Sequence, residues 1–402
     1  MEALSLNLKL LQFSGILEPP IVMKSQWKRW LFSLYMITSV VVFIPVLMGE
    51  LLAVYHFWGD LVVITNNIFT MVGNITFYGN ALYIISRRKA FMHLVSALDQ
   101  MLEDIPRWNV KQQMITKETI ARSRKLTWSL LVIIYLVPVS WSVAPVISML
   151  MPDAEEEILA EPVNEIEEFW RSLISIMWLP LDATQSPIRE IVYTCQFIVF
   201  VLTASYYTSV NTVFVSFIVH ISGQFEILIS TIYDMDKTIE KYNDPYALRE
   251  YFVNVISHHQ SVIAFAKELN DVLSPLLFFY FMSAQVMMCV MAFQMVLTWG
   301  EQNNFLKFFF GLLCVMAGPF FFCWQGNVLI DQSLKTQQAV YGCEWYERNS
   351  DFKKMTHIVI TRAQRPIRLT AGTLYPLSLE SFAKMLNSVY YYFAVLKQLH
   401  EE

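Results

Sequence analysis

Lys and Arg residues occupy every second gap between the apolar stretches of this chain, and that spacing limits how it can sit in a bilayer. Seven stretches qualify: 30–53, 60–86, 127–150, 190–220, 273–299, 304–330 and 373–399. Each reaches the roughly 20 residues a helix needs to cross a membrane. Lys9, Lys24, Lys28 and Arg29 precede the first stretch. Nine basic residues from Arg87 to Lys125 separate the second from the third. Lys237, Lys241, Arg249 and Lys267 separate the fourth from the fifth, and seven from Lys335 to Arg368 separate the sixth from the seventh. The other gaps hold only Arg171 and Arg189. Lys and Arg are retained on the cytoplasmic side. The pattern predicts an all-α membrane protein of seven transmembrane helices, with a cytoplasmic N-terminus and an extracellular C-terminus.

Composition agrees. An apolar share of 55% with 16% charge lies far from a soluble domain, where about 25% of residues are charged. Every basic gap carries interleaved acids, so no nucleic-acid footprint exists. Residues Met1 to Gln26 contain no uninterrupted apolar core of a signal peptide; the first span is expected to act as the targeting signal and to stay. Cys195, Cys289, Cys314 and Cys323 fall in predicted spans and Cys343 in a cytoplasmic segment. The large outer loop holds no Cys, so no extracellular disulfide framework is expected, and no Cys-x-x-Cys pair occurs, so no metal site is expected. His220, His258 and His259 form no catalytic set, and Ser378 and Ser381 have no His–Asp partner nearby in sequence. The reading is of a protein that is not an enzyme and needs no cofactor.

The gaps have character of their own. The outer loop 151–189 is acidic, from Asp153 through Glu168, and reads either as a solvated loop or as a negative vestibule that concentrates cations. The sequon Asn74-Ile75-Thr76 falls inside the second span and is discounted as a glycan site. Three cytoplasmic segments repeat apolar residues at helical spacing: Phe91, Leu94, Leu98, Leu102; Phe225, Ile229, Ile232, Tyr246, Leu248, Phe252, Ile256; and Ala339, Val340, Trp345, Tyr346. Such stripes must be buried. A cytoplasmic bundle extending the spans is expected, against the alternative of helices lying on the bilayer surface.

The last span is the least like a lipid-facing helix. Phe382, Leu386, Val389 and Phe393 form one stripe; Lys384, Asn387, Ser388 and Tyr391 form another. Polar groups within a span usually face protein or water. Steps of four carry the polar stripe outward through Tyr391 to Val395 and Leu399. A polar path closed by an apolar ring suits a dewetting gate; packing on neighbouring helices is the competing reading. Aromatic residues in the outer halves of spans two, three, four and six suit either a pocket for small apolar molecules or ordinary packing.

Phe322-Cys-Trp-Gln-Gly326, Ser333, Ala339, Tyr341 and Trp345-Tyr346, followed by Leu377-Ser-Leu-Glu-Ser-Phe382 and Tyr392-Phe-Ala-Val-Leu396, resemble the sixth- and last-span motifs of the insect odorant receptor family. Asn327 stands where that family commonly has an acid. The resemblance implies an odorant-gated, non-selective cation channel of the olfactory neuron plasma membrane. It would assemble as a heterotetramer with the odorant receptor co-receptor. The second cytoplasmic loop, 222–272, is shorter than the co-receptor's, which implies a ligand-tuning subunit. By motif, Val395 and Leu399 form the gate, with Gln398 and Tyr391 in the pore. Tyr341, Trp345 and Tyr346 belong to the subunit anchor. The implied pocket for a volatile organic ligand takes Phe77, Tyr78, Val137, Trp141, Leu202, Tyr206, Phe309 and Met316. The chain then divides into helices one to six (1–330), an anchor segment (331–372) and a pore-lining helix (373–402). A gustatory receptor of the same superfamily would share this logic, although its Thr-Tyr…Gln-Phe ending is replaced here by Tyr391-Tyr392…Gln398-Leu399. A G-protein-coupled receptor needs the opposite orientation, and a transporter would show saturable substrate flux.

Overall fold

A computed structural model describes residues 3–19, 25–103, 110–150, 169–170, 173–180, 185–235, 245–299 and 302–401. The acidic stretch Asp153–Glu168, with Arg171, lies outside these residues, as do Lys24, Arg107, Lys237 and Lys241. The described chain is a bundle of helices: α1 Ser5–Phe13, α2 Gln26–His56, α3 Leu61–Ser86, α4 Arg88–Glu103, α5 Val110–Leu150, α6 Ile188–Tyr233, α7 Pro245–Leu297, α8 Gln302–Tyr341, α9 Ser350–Ala363 and α10 Leu379–Glu401. Six of them, α2, α3 and α5 to α8, are long and apolar enough to cross a membrane. Helix α10 carries too many polar residues to be chosen on hydropathy alone.

Local signals set the ends. Asp60 caps α3 by accepting from the Val62 and Val63 backbone N–H groups at 3.0 and 3.3 Å, satisfying donors that a helix start leaves unpaired. Asn349 caps α9 in the same way through Phe352 N–H. The predicted seventh stretch began at residue 373, but the helix begins at Leu379. Residues 370–376 instead form a two-stranded hairpin, Thr370 opposite Pro376 and Ala371 opposite Tyr375. Gly372 turns it at φ +62, a left-handed conformation that suits glycine, and a Cβ there would meet Phe278 at 2.9 Å. Asn270 Oδ1 accepts from Thr370 N–H, and Ser274 carbonyl from Gly372 N–H. The hairpin is therefore pinned to α7.

Helix α6 is the axis of the fold. It packs against α1, α2, α3, α5, α7 and α8, and almost every residue from Thr203 to Phe225 is buried. Helix α2 sits at the edge, packed mainly on α3 and α6, with Leu34, Ile37, Val41, Ile44 and Met48 exposed. The predicted amphipathic stripes are largely buried against protein: Phe91, Leu94 and Leu98 in α4; Phe225 and Ile232 in α6; Phe252 in α7, 4.6 Å from Phe352 of α9; and Ala339 and Val340 in α8, whereas Tyr346 at the end of the third stripe is exposed. The side chain of Tyr246 lies outside the described residues. These helices bury their apolar faces in a bundle and do not lie on a surface.

The quoted motif residues have structural work at the α8–α10 junction. A Cβ on Gly326 would stand 2.4 Å from the Leu377 carbonyl oxygen, so glycine is what lets the two segments touch. Ser333 Oγ accepts from Ile367 N–H at 3.1 Å. Asn327 donates to Asp331 at 3.2 Å.

Candidate functional site

A cavity lies among α3, α5, α6, α7 and α8 and holds about 640 Å³ of space not filled by atoms, part of it continuous with the surroundings. Helix α3 contributes Phe69, Thr70, Gly73, Asn74 and Phe77; α5 contributes Ile134, Val137 and Pro138; α6 contributes Phe200, Thr203, Ala204 and Tyr207. Tyr280, Ala284 and Met287 come from α7, and Gly311, Cys314 and Val315 from α8. The α3 residues 69, 73 and 77 recur at steps of four, so one face of the helix lines the space.

Most of the wall is apolar, and its few polar groups are paired. Thr203 donates to Asn74 Oδ1 at 2.9 Å. The Tyr207 and Tyr280 hydroxyls meet at 2.7 Å, and Tyr207 also reaches the Cys314 carbonyl at 3.4 Å. Gly318 makes this tyrosine pair possible, since a Cβ there would lie 1.8 Å from the Tyr280 hydroxyl and 2.4 Å from that of Tyr207. Trp141, fully buried, stacks on Phe200 at 5.4 Å and tilts against Phe69 at 5.3 Å. Its indole N–H donates to the Lys307 carbonyl, and the Lys307 ammonium stands 4.3 Å over its ring.

Of the residues picked from the sequence, Phe77 and Val137 line the cavity. Trp141 stands behind Phe69 and Phe200 as a backing layer. Tyr78 and Tyr206 face the other way, toward α2: Tyr78 stacks on Phe43 at 4.2 Å, and Tyr206 shares a 2.9 Å hydrogen bond with Ser39. Their neighbours Phe77 and Tyr207 take the cavity side. Leu202 and Met316 are half-buried and pack on the core. Phe309 is largely turned outward, at 37% exposure, and stacks on Phe305. Tyr207, one of the aromatics in the outer half of the fourth span, lines the cavity in place of Tyr206, and Asn74, Thr203 and the α7 wall were not among the expected pocket residues. The stripe Asn66, Thr70, Asn74 along α3 was the available signal.

Helix α10 packs on α7 and α8 through Ser381, Met385 and Val389. Its other side exposes Tyr390, Tyr391, Tyr392 and Val395, at 56–70%. Gln398 is also exposed, and the Leu399 side chain lies outside the described residues. Lys384 is exposed and pairs with Glu380 at 2.6 Å. At the far end of α8, Tyr341 and Tyr346 are exposed, while Trp345 is half-buried and donates to the Tyr341 carbonyl.

Fold and cavity together define a bundle of membrane-length helices around a small apolar cavity. The family model described as 7tm Odorant receptor matches residues 60–390, and the chain belongs to this insect odorant receptor family, which consists of receptors and not enzymes. Odorant receptor 10 of Aedes albopictus is 25% identical over 352 residues, 86% of this chain and 87% of that protein. Odorant receptor 13a of Drosophila melanogaster is 27% identical over 56% of this chain and 57% of its own length. The odorant receptor coreceptor of Anopheles gambiae is 29% identical over 36% of this chain but only 30% of itself. A specific odorant receptor thus matches over nearly its whole length and the coreceptor over less than a third, which sorts this chain with the ligand-tuning receptors. In fold it resembles the insect olfactory receptor OR5 from Machilis hrabei in complex with eugenol, with a TM-score of 0.81, 17% identity, and coverage of 97% of this chain and 96% of that one.

Proposed function

We propose that this chain is an odorant-gated, non-selective cation channel subunit that binds a volatile organic molecule in the cavity and opens a central pore. It does so with the odorant receptor co-receptor, in a heterotetramer of the plasma membrane of olfactory sensory neurons. The observation that carries the reading is the outward face of α10. The exposed face of α10 carries Lys384, Tyr391 and Gln398 beside Val395, and polar groups within a span favour protein or a water-filled path over lipid. Copies of the same helix arranged about an axis supply such a path. In this arrangement Val395 and Leu399 form the gate, Gln398 and Tyr391 border the path, and Tyr341, Trp345 and Tyr346 join subunits at the cytoplasmic end. The N-terminus is then inside and the C-terminus outside, as the alternation of basic residues requires.

The cavity favours a compact, mostly apolar ligand with one hydrogen-bonding group. Apolar walls give dispersion and displaced water, and the Tyr207–Tyr280 pair offers the exchangeable polar contact. The pocket proposed from the sequence is thereby narrowed to Phe77 and Val137, backed by Trp141. Ligand preference for one arrangement of the helices shifts the closed–open equilibrium by its differential affinity. The test is whole-cell current from cells expressing this chain with the co-receptor. Polar replacements at Val395 and Leu399 are expected to raise basal leak. Unchanged leak and permeation would remove the gate assignment, and an epitope tag at Met1 stained on intact cells would overturn the orientation.

A further inference from the structure

Glu50 is fully buried near the end of α2, and neither of its carboxylate oxygens has a hydrogen-bond partner. Thr70 of α3 and Ser175 of the segment 173–180 lie beside the carboxyl. That segment is fastened over it: Trp178 N–H donates to the Gly49 carbonyl at 3.0 Å, and Trp178 stacks on His56 at 4.5 Å. Two amides flank the same place. Asn67 spends its N–H₂ on the Glu50 carbonyl at 3.2 Å, and Gln196 of α6 spends its own on Ser175 at 2.9 Å. Their oxygens are left without partners, as is that of Asn66, which shares the Thr70 face of α3 four residues away.

Apart from the hydroxyls of Thr70 and Ser175, the groups gathered here are buried acceptors without donors. An ionised carboxylate held this way costs several kcal/mol unless a positive charge meets it. A proton on Glu50 supplies a single donor and leaves the remaining amide oxygens without partners. One carboxylate balances one charge, whereas Ca²⁺ takes 6–8 oxygens and would keep a net charge in a site of low dielectric. We infer that Glu50, with the hydroxyls of Thr70 and Ser175 and the amide oxygens of Asn66, Asn67 and Gln196, forms a binding site for a monovalent metal cation, Na⁺ in the first instance. Thr70 also lines the ligand cavity, so the cation would sit one side chain behind the bound molecule.

The test is thermal unfolding of the purified full-length receptor, with NaCl replaced by N-methyl-D-glucamine chloride at constant ionic strength. The wild-type midpoint is expected to rise with Na⁺ and saturate, because a ligand of the folded state alone stabilises it by mass action. In Glu50→Gln the Na⁺ dependence is expected to vanish. In Ser175→Ala, which lies outside the cavity, half-saturation should move to severalfold higher Na⁺. A wild-type midpoint equal in both salts, pointing to a proton or a water there, overturns the site, as does an undiminished Na⁺ response in Glu50→Gln. Should Glu50→Gln fail to fold, the wild-type curve and Ser175→Ala still decide. No current is measured, so the result stands apart from the channel reading.

Discussion

Gly318→Ala is the most informative single change in the cavity. The new Cβ would lie 1.8 Å from the Tyr280 hydroxyl and 2.4 Å from that of Tyr207, well inside any contact distance. The tyrosines must separate, which breaks their 2.7 Å hydrogen bond. Overpacking of a filled interior costs about 1–3 kcal/mol, and a lost buried hydrogen bond about 1 kcal/mol. The sum is about 2–4 kcal/mol, read as a fall in the unfolding midpoint of the purified receptor and as weaker odorant-evoked current. The cause can be isolated. Tyr280→Phe deletes the oxygen nearest the new methyl group, so Gly318→Ala with Tyr280→Phe should be less destabilised than the two single changes added together. A coupling of at least about 1 kcal/mol is expected for groups in contact. If Gly318→Ala is neutral, or the double variant is merely additive, the tyrosine pair does not occupy the position described and the ligand contact assigned to it falls.

Other outcomes follow from the same contacts. Gly326→Ala pushes a methyl group into the Leu377 backbone, which cannot swing aside as a side chain does; cell-surface labelling should show a larger loss than for Gly318→Ala. Trp141→Ala removes the backing of Phe69 and Phe200 and should cost about 3–5 kcal/mol, with odorant response reduced in dose–response recordings. Thr203→Val strands Asn74 Oδ1 and should cost about 1–3 kcal/mol in the unfolding midpoint. His259, buried in the part of α7 that precedes its apolar stretch 273–299, is pushed down to about 4 by burial, then by Arg362 and His258. The folded state therefore holds it neutral. Its contribution is complete above about pH 6.5, where the unfolded chain is neutral too, and is lost as pH falls toward 4, by up to about 3 kcal/mol. His259→Phe should flatten the acid side of a midpoint-against-pH curve relative to wild type; parallel curves would refute the assignment.

Much of this architecture could be read from the chain. Apolar length and period mark helices, because a bilayer admits no unpaired backbone, and six of the seven stretches recur as helices of membrane-crossing length. The amphipathic segments at 89–125 and 222–272 announced buried stripes, and Phe91, Leu94, Leu98, Phe225, Ile232 and Phe252 are buried, with Leu102, Ile229, Leu248 and Ile256 half-buried. The start of the last helix was less legible. Gly372 and Pro376 mark a break in the sequence, but that the break is a hairpin depends on Gly372 and on the contacts of Thr370 with Asn270, a partner a hundred residues away in sequence.

The sequence by itself determined the helical class, the motifs at the α8–α10 junction and the alternation of charge, since each depends on residues close together along the chain. Tertiary structure alone decided which side chain of an adjacent pair enters the cavity. Phe77 and Tyr78, like Tyr206 and Tyr207, differ by about 100° around a helix, and both members of each pair are aromatic, so composition cannot choose. The rotation of α3 and α6 chooses, and it is set by long-range contacts such as Tyr206 with Ser39 and Tyr207 with Tyr280. The same is true of Glu50, an unremarked acid in an apolar stretch until three other segments close around it.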